Sequence, residues 1–178
     1  MIVEEYLNVK KVCSFYVNTV HLVAMIFPYI NKELKTNAKF NNFLEHDLKN
    51  DVEKIAEKIM KKNNWIKNIL KLNWERRENI KYGEIEKQLK EEINNYNKLI
   101  IFIMGSRTYI ENVNKNIEKC FLKNIKKIQG KNINIINCYE VGEFNENIKE
   151  ILDAHSAVLN TAGIHEIAQV FKGYKKAN

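Results

Sequence analysis

Short apolar runs alternate along the chain with longer stretches in which apolar residues recur every three or four positions. The uninterrupted apolar run at residues 99–104 is typical of a strand that is buried on both faces. Val52, Ile55, Ala56 and Ile59 fall at helical spacing, which predicts an amphipathic helix. Because helices that separate strands act as crossovers, the pattern predicts a three-layer α/β fold around a mostly parallel sheet.

The predicted elements follow this alternation from end to end. The predicted strands are residues 12–17, 39–45, 65–72, 99–104, 133–138 and 157–159. The predicted helices cover residues 23–34, 52–60, 85–93, 109–121 and 144–152. Asn18 or Thr19 can cap the first helix, Pro28 predicts a kink or a restart within it, and Gly130 marks the end of the fourth. Asn41 and Asn42 make the second strand the least regular of the set.

Length and charge limit the classes of protein to consider. The 178 residues fit one domain, 1–178, and the net charge is +7. Lysines are interspersed with glutamates along the predicted helices, and the denser basic segments at 123–127 and 172–176 lack interleaved aromatic residues. Nucleic-acid binding through the 123–127 face is therefore an alternative that the pattern does not favour.

The N-terminus and the cysteines indicate the compartment. The first five residues include Glu4 and Glu5 where a signal peptide would be basic, and no apolar run reaches membrane-spanning length. Cys13, Cys120 and Cys138 are an odd, widely spaced set within apolar segments, which is typical of reduced thiols. We expect a cytoplasmic protein that has no membrane partner.

Known nucleotide-binding motifs are missing from the sequence. A phosphate-binding P-loop requires GxxxxGK[ST], and the six glycines here are isolated, with no Gly-Lys-Ser/Thr triplet and no GxGxxG. P-loop ATPase activity is not expected, and the sequence predicts no cofactor.

Candidate binding residues follow from the rule that ligands of open α/β sheets bind at the carboxyl ends of the strands. Trp74 and Glu75, which follow the strand predicted at 65–72, meet this rule. The candidate ligand-binding set, which adds His155 from the end of the last predicted helix, is Tyr16, Asn18, Gly105, Ser106, Arg107, Tyr139, Glu140, His155 and Asn160.

The turn at residues 105–107 allows two interpretations. Gly105 permits close backbone approach, a helix N-terminus offers unpaired N–H groups, and Arg107 adds a cationic fork, so an anionic ligand could dock there. Alternatively, Gly105 only forms the turn, Ser106 caps the helix and Arg107 is solvated.

Two further chemistries compete with simple binding. His155 and His165 could meet Asp153 or Glu166 around a metal ion, but no HxxxH or HExxH spacing supports this, and no metal site is predicted. A small enzyme could use Arg107, Glu140 and His155, although no isolated acid pair indicates acid–base catalysis. We therefore expect a binding protein and keep the enzyme as an alternative.

Several segments together resemble the MEDS (methanogen and methylotroph sensory) domain family, and the resemblance covers most of the chain. The segments are residues 12–16, Phe27 to Ile30 with Glu33 and Leu34, residues 99–106, Cys138 and Tyr139, Phe144, residues 148–152, His155 and residues 158–160.

The resemblance implies a RecA-like or KaiC-like core that lacks the ATPase loop. It also implies a stand-alone, non-catalytic sensory domain in microbial signal transduction. Its partners would be an unidentified small molecule or a signalling protein, and a homodimer is compatible with this role.

Overall fold

The computed structural model describes residues 7–60, 64–143 and 148–176, and these residues form one six-stranded sheet. The strands are β1 (Val9–Tyr16), β2 (Lys39–Leu44), β3 (Lys98–Met104), β4 (Asn132–Glu140), β5 (Ala157–Asn160) and β6 (Gly163–Glu166). Their order is β2-β3-β4-β1-β5-β6. Neighbouring strands are parallel except β6, which runs antiparallel to β5.

Helices cover both faces of the sheet. They are α1 (Thr19–Leu34), α2 (Lys49–Met60), α3 (Ile66–Leu70), α4 (Tyr82–Asn95), α5 (Arg107–Lys123), α6 (Ile125–Ile128), α7 (Ile148–Asp153) and α8 (Ile167–Val170). Helices α1 to α3 pack on one face, here called the α1 face, and α4 to α8 pack on the other, the α5 face. The predicted α/β fold with a mostly parallel, helix-covered sheet is confirmed.

Strand β3 shows why the sheet needs two helical layers. Ile100 and Phe102 join the core of the α1 face, whereas Ile101 and Ile103 join the core of the α5 face, and all four are buried. Each such side chain contributes about 1.5–3 kcal/mol when fully buried. No helix in the described part of the chain is long and apolar enough to cross a membrane.

Two helices begin at capping residues that the sequence identifies. The Asn18 side chain accepts a hydrogen bond of 2.8 Å from the backbone N–H of His21 at the start of α1, and Ser106 caps α5 by accepting one of 3.3 Å from Tyr109. Helix α1 continues through Pro28 to Leu34, so no restart occurs there. The helix predicted to run on to Gly130 is interrupted at Asn124, between α5 and α6.

The strand predicted at residues 65–72 is wrong, because this segment contains the short helix α3. Ile66 and Ile69 lie one helical turn apart and both enter the core of the α1 face, whereas in a strand their side chains would point to opposite faces. Trp74 is buried, and its Nε1–H donates to the carbonyl of Ile69 at 2.9 Å. Trp74 and Glu75 therefore do not follow a strand.

The C-terminal hairpin lies beyond the last predicted strand. Strand β6 returns beside β5, and Asn160 pairs with Gly163 across the turn. Gly163 has φ of +117°, which glycine adopts without strain, and the Asn160 side chain accepts a hydrogen bond of 2.9 Å from the Ala162 N–H. Of the helix predicted at 144–152, residues 148–152 lie in α7 and the first four lie outside the described residues.

The two asparagines that weaken the prediction of β2 are both paired. Asn42 donates to the carbonyl of Asn73 at 2.6 Å on the α1 face. Asn41, on the α5 face, donates to the Glu92 carboxylate of α4 and accepts from Gln88. Burial raises the pKa of Glu92, so the contact with Asn41 supports a carboxylate in an apolar setting. The polar residues of β2 fit the sheet because Glu92 and Gln88 of α4 pair with Asn41, and the carbonyl of Asn73 accepts from Asn42.

We predict that Asn41→Leu lowers the free energy of unfolding by about 2 kcal/mol, because it leaves the buried groups of Glu92 and Gln88 without their partner. The double change Asn41→Leu with Glu92→Leu should recover part of this loss, since both partners are then apolar. Denaturant titration measures both values, and exposed Asn94→Leu on α4 is the control, with a change within about 0.5 kcal/mol. If the double change lowers the free energy of unfolding by the sum of the losses for Asn41→Leu alone and Glu92→Leu alone, the pairing is contradicted.

Candidate functional site

The sheet topology places two crevices at the carboxyl ends of its strands. Strand β1 is followed by α1 on one face, whereas its neighbour β4 leads towards α7 on the other face. The neighbours β2 and β3 diverge in the same way, towards α2 and α5. Ligands of open α/β sheets bind where adjacent connections diverge, so both crevices are candidates.

The crevice between β2 and β3 is filled by a carboxylate of the chain itself. Glu45 follows β2, and its side chain accepts hydrogen bonds from the Ser106 backbone N–H and, at 3.1 Å, from the Ser106 hydroxyl. A Cβ atom on Gly105 would lie 2.5 Å from a Glu45 carboxylate oxygen. A carboxylate of the chain, Glu45, therefore occupies the turn where an anionic ligand was one of two interpretations, and Gly105 is needed because this carboxylate lies against it.

The second crevice continues into a groove on the α5 face, between α5 and α7. This α5–α7 groove has a volume of about 200 Å³, and Lys11 of β1 and Asn137 of β4 contribute to its lining. Three of the predicted residues, Arg107, Tyr139 and His155, line it together. The structure thus brings residues from three separate segments into one cavity.

A chain of hydrogen bonds runs along this groove and has a fixed direction. The His155 Nδ1 lies against the carbonyl of Ile151, which can only accept, so Nδ1 carries the ring hydrogen. The His155 Nε2 therefore accepts from the Asn137 amide nitrogen at 2.8 Å. The Asn137 oxygen accepts from the Asn114 amide nitrogen at 2.9 Å, and that nitrogen also donates to the Ile110 carbonyl at 2.9 Å.

The chain of hydrogen bonds ends at a buried acceptor, the side-chain oxygen of Asn114. Both amide hydrogens of Asn114 are used, and its oxygen is buried with no hydrogen-bond partner among the described residues. An unpaired buried carbonyl is costly, by about 1–3 kcal/mol. A group that donates a hydrogen bond to Asn114 would complete the chain.

Three buried groups in and near the groove, the His155 imidazole, the Tyr139 hydroxyl and the Cys13 thiol, are held in their neutral forms. Burial lowers the pKa of His155 to about 4, because it penalises the imidazolium. Burial raises the pKa of the Tyr139 hydroxyl and raises that of the Cys13 thiol to about 12. Cys13 and Cys138 lie on the neighbouring strands β1 and β4, but they belong to the cores of opposite faces.

Positive and negative charges balance within the groove. The cations are Lys11, Arg107 and Lys115, and the anions are Glu111, Glu118 and Glu150. Lys11 pairs with Glu118. Arg107 pairs at 2.7 Å with Glu111 on its own helix and, also at 2.7 Å, with Glu150, which joins α5 to α7. These two carboxylates raise the pKa of Arg107. The groove therefore presents polar groups without net charge.

The other predicted residues lie outside the α5–α7 groove. Tyr16 is buried on the α1 face, and the Asn18 side chain is used as the cap of α1. Glu140 is exposed at the end of β4, paired in register with Tyr16. Asn160 lies at the β5–β6 turn, beside a different cavity on the α1 face. Among the described residues, no three histidine, cysteine, aspartate or glutamate side chains meet as a metal site.

Two central residues of the groove, Asn114 and Asn137, were absent from the predicted set. Asn137 interrupts the apolar run of β4 in its middle, and its side chain is buried. A buried asparagine in a parallel strand needs partners on the same face, so this interruption was a usable signal. The strand-end rule overlooks it because Asn137 lies within the strand.

We predict that Gly105→Ala lowers the free energy of unfolding by about 2–3 kcal/mol, because the new methyl group would overlap the Glu45 side chain and lie 2.9 Å from the Tyr109 ring. Gly83→Ala in α4 is the matched control, since a Cβ there meets nothing within 4 Å. That change should be neutral or stabilising by about 0.5–1 kcal/mol. Equal effects of the two changes in thermal or denaturant unfolding would contradict this account of the turn.

The depressed pKa of His155 predicts a pH dependence of stability. The unfolded chain binds a proton at His155 below about pH 6.5, whereas the folded chain binds it only near pH 4. Stability therefore rises with pH through this window and is lost as the pH falls. Between pH 7 and 4.5 the native chain should lose about 2 kcal/mol more than the His155→Gln variant. If the free energies of unfolding of the native chain and of the His155→Gln variant change with pH in parallel, the pKa of His155 is not depressed and the prediction is wrong.

The chain matches no protein-family model, and no curated protein matches it. The function of the α5–α7 groove is therefore argued from its own geometry and chemistry.

Proposed function

We propose that the chain is a non-catalytic ligand-binding domain that acts as a sensor in microbial signal transduction. The observation that carries this proposal is the α5–α7 groove, where Arg107, Tyr139 and His155 line one cavity with a directional chain of hydrogen bonds. Such a chain fixes the orientation of each amide, which favours selective binding of one small molecule.

Binding is favoured over catalysis because the reactive groups of the groove are already engaged. Both ring nitrogens of His155 have partners, and its low pKa keeps the ring neutral near pH 7, so no imidazolium is present to act as a general acid. A nucleophilic thiol needs a low pKa, and that of Cys13 is raised. The alternative enzyme also required Glu140, which is not part of the groove lining.

The connection after β1 supports a RecA-like or KaiC-like core without an ATPase loop, as the resemblance to the MEDS family implies. Only Val17 and Asn18 join β1 to α1, and the Asn18 side chain bonds to the helix N-terminus. A P-loop needs a longer glycine-rich segment to surround phosphates with N–H groups. The helical layers on both faces of a mostly parallel sheet are also compatible with such a core.

The groove favours a small neutral or zwitterionic ligand that donates a hydrogen bond. Its three cations and three anions leave no net charge to attract an ion, and the Asn114 oxygen is the acceptor that lacks a partner among the described residues. A cavity of about 200 Å³ is smaller than that of most drug-sized ligands. A signalling protein would then respond to the occupied domain.

We predict that acetamide, glycine or methanol, used as small donor probes in protein-observed NMR, shifts the signals of Asn114, Asn137 and His155. Asn114→Ala should weaken this binding by about fivefold or more, because it removes the acceptor at the end of the chain. Asn116→Ala on the same helix is the control and should change the affinity by less than about twofold. Asn116 is not part of the groove lining.

The outcomes separate the parts of the proposal. Shifts outside the groove, or none with any of the three probes, would contradict the binding site. Conversion of a probe to a product in the same samples, lost in His155→Gln, would contradict the non-catalytic assignment.

A further inference from the structure

A second groove lies on the α1 face, between the C-terminal half of α1 and the β5–β6 hairpin. This hairpin groove has a volume of about 550 Å³, within the range of small-molecule sites. Its lining includes Lys10 of β1, Asn134 of β4 and residues 160–164 of the hairpin. None of its lining residues is shared with the α5–α7 groove.

The hairpin groove carries excess positive charge. Its lining includes Lys10, Lys32 and Lys98 and only one carboxylate, that of Glu33. Glu33 forms an ion pair with Lys98, whereas Lys10 and Lys32 have no ion pair with any described residue. Two lysines that line one concave surface without carboxylate partners make that surface electropositive, which favours an anion there.

The remaining polar groups of the groove suit hydroxyl groups. The amides of Asn8, Asn132, Asn134 and Asn160 contribute to the lining, and each amide can both donate and accept. Asn134 donates to the Tyr29 hydroxyl at 3.0 Å. Burial raises the pKa of Tyr29, so its hydroxyl remains protonated and keeps a hydrogen to donate. That hydrogen has no acceptor among the described residues.

We propose that the hairpin groove binds a small anion that also carries hydroxyl groups, with a sugar phosphate as the chemical class. The phosphate would lie between Lys10 and Lys32, and the sugar hydroxyls would meet the asparagine amides and Tyr29. The concave shape favours a small molecule over a nucleic acid, which requires an extended basic surface. This site is independent of the proposed sensor site, because it lies on the other face of the sheet.

Isothermal titration with glucose 6-phosphate, glucose, inorganic phosphate and a ten-residue oligothymidylate tests the inference on the full chain. Glucose 6-phosphate should bind at least about fivefold more tightly than glucose or phosphate, because it engages both sets of groups. Lys10→Gln with Lys32→Gln should weaken it by about tenfold or more. The control Lys54→Gln with Lys58→Gln removes the same charge from exposed positions on α2 and should change affinity less than about twofold.

Three results would overturn the inference. They are no binding of glucose 6-phosphate up to about 10 mM, equal weakening by the two double variants, and tighter binding of the oligonucleotide than of the sugar phosphate. Asn114→Ala should leave glucose 6-phosphate binding unchanged. Loss of binding in that variant would overturn the separation of the two sites.

Discussion

The pairing of β1 with β4 at the centre of a sheet covered on both faces is the constraint on which the other features depend. The two strands pair in parallel register over eight residues, from Val9 with Ile133 to Tyr16 with Glu140. Because helices cover both faces, each polar side chain on these strands needs a partner or a cavity. The three asparagines of β4 mark where this occurs: Asn132 and Asn134 line the hairpin groove, and Asn137 lines the α5–α7 groove.

The two grooves differ in charge because different partners surround them. On the α5 face, Lys11 meets Glu118 of α5, and Arg107 meets Glu111 and Glu150. On the α1 face, the adjacent Lys10 has no carboxylate partner among the described residues, and Glu33 is already paired with Lys98. Lys10 and Lys11 are adjacent on β1 but line different grooves, because successive side chains of a strand point to opposite faces. Lys10 lines the positively charged hairpin groove, and Lys11 lines the charge-balanced α5–α7 groove.

Hydrophobic periodicity predicts much of this fold, but not its polar contacts. The run at 99–104 and the period of α5 were sufficient to place β3 and its helix. The strand prediction failed at residues 65–72, where Ile66 and Ile69 are three positions apart and share one face only in a helix. Sequence could nominate Arg107, Tyr139 and His155, since each lies near a strand or helix end. It could not show that Glu45, sixty-one residues before Ser106, occupies the turn at Gly105, because this contact depends on the β2–β3 pairing.

The state of His155 is the central claim of this account, because the direction of the hydrogen-bond chain and the non-catalytic assignment both depend on it. The ring nitrogens of His155 can be observed directly by long-range ¹H–¹⁵N NMR as the pH is lowered from 7. The account predicts a neutral ring with its hydrogen on Nδ1 that is protonated only near pH 4. A ring with its hydrogen on Nε2, or one that is protonated near the ordinary histidine pKa of about 6.5, would contradict it.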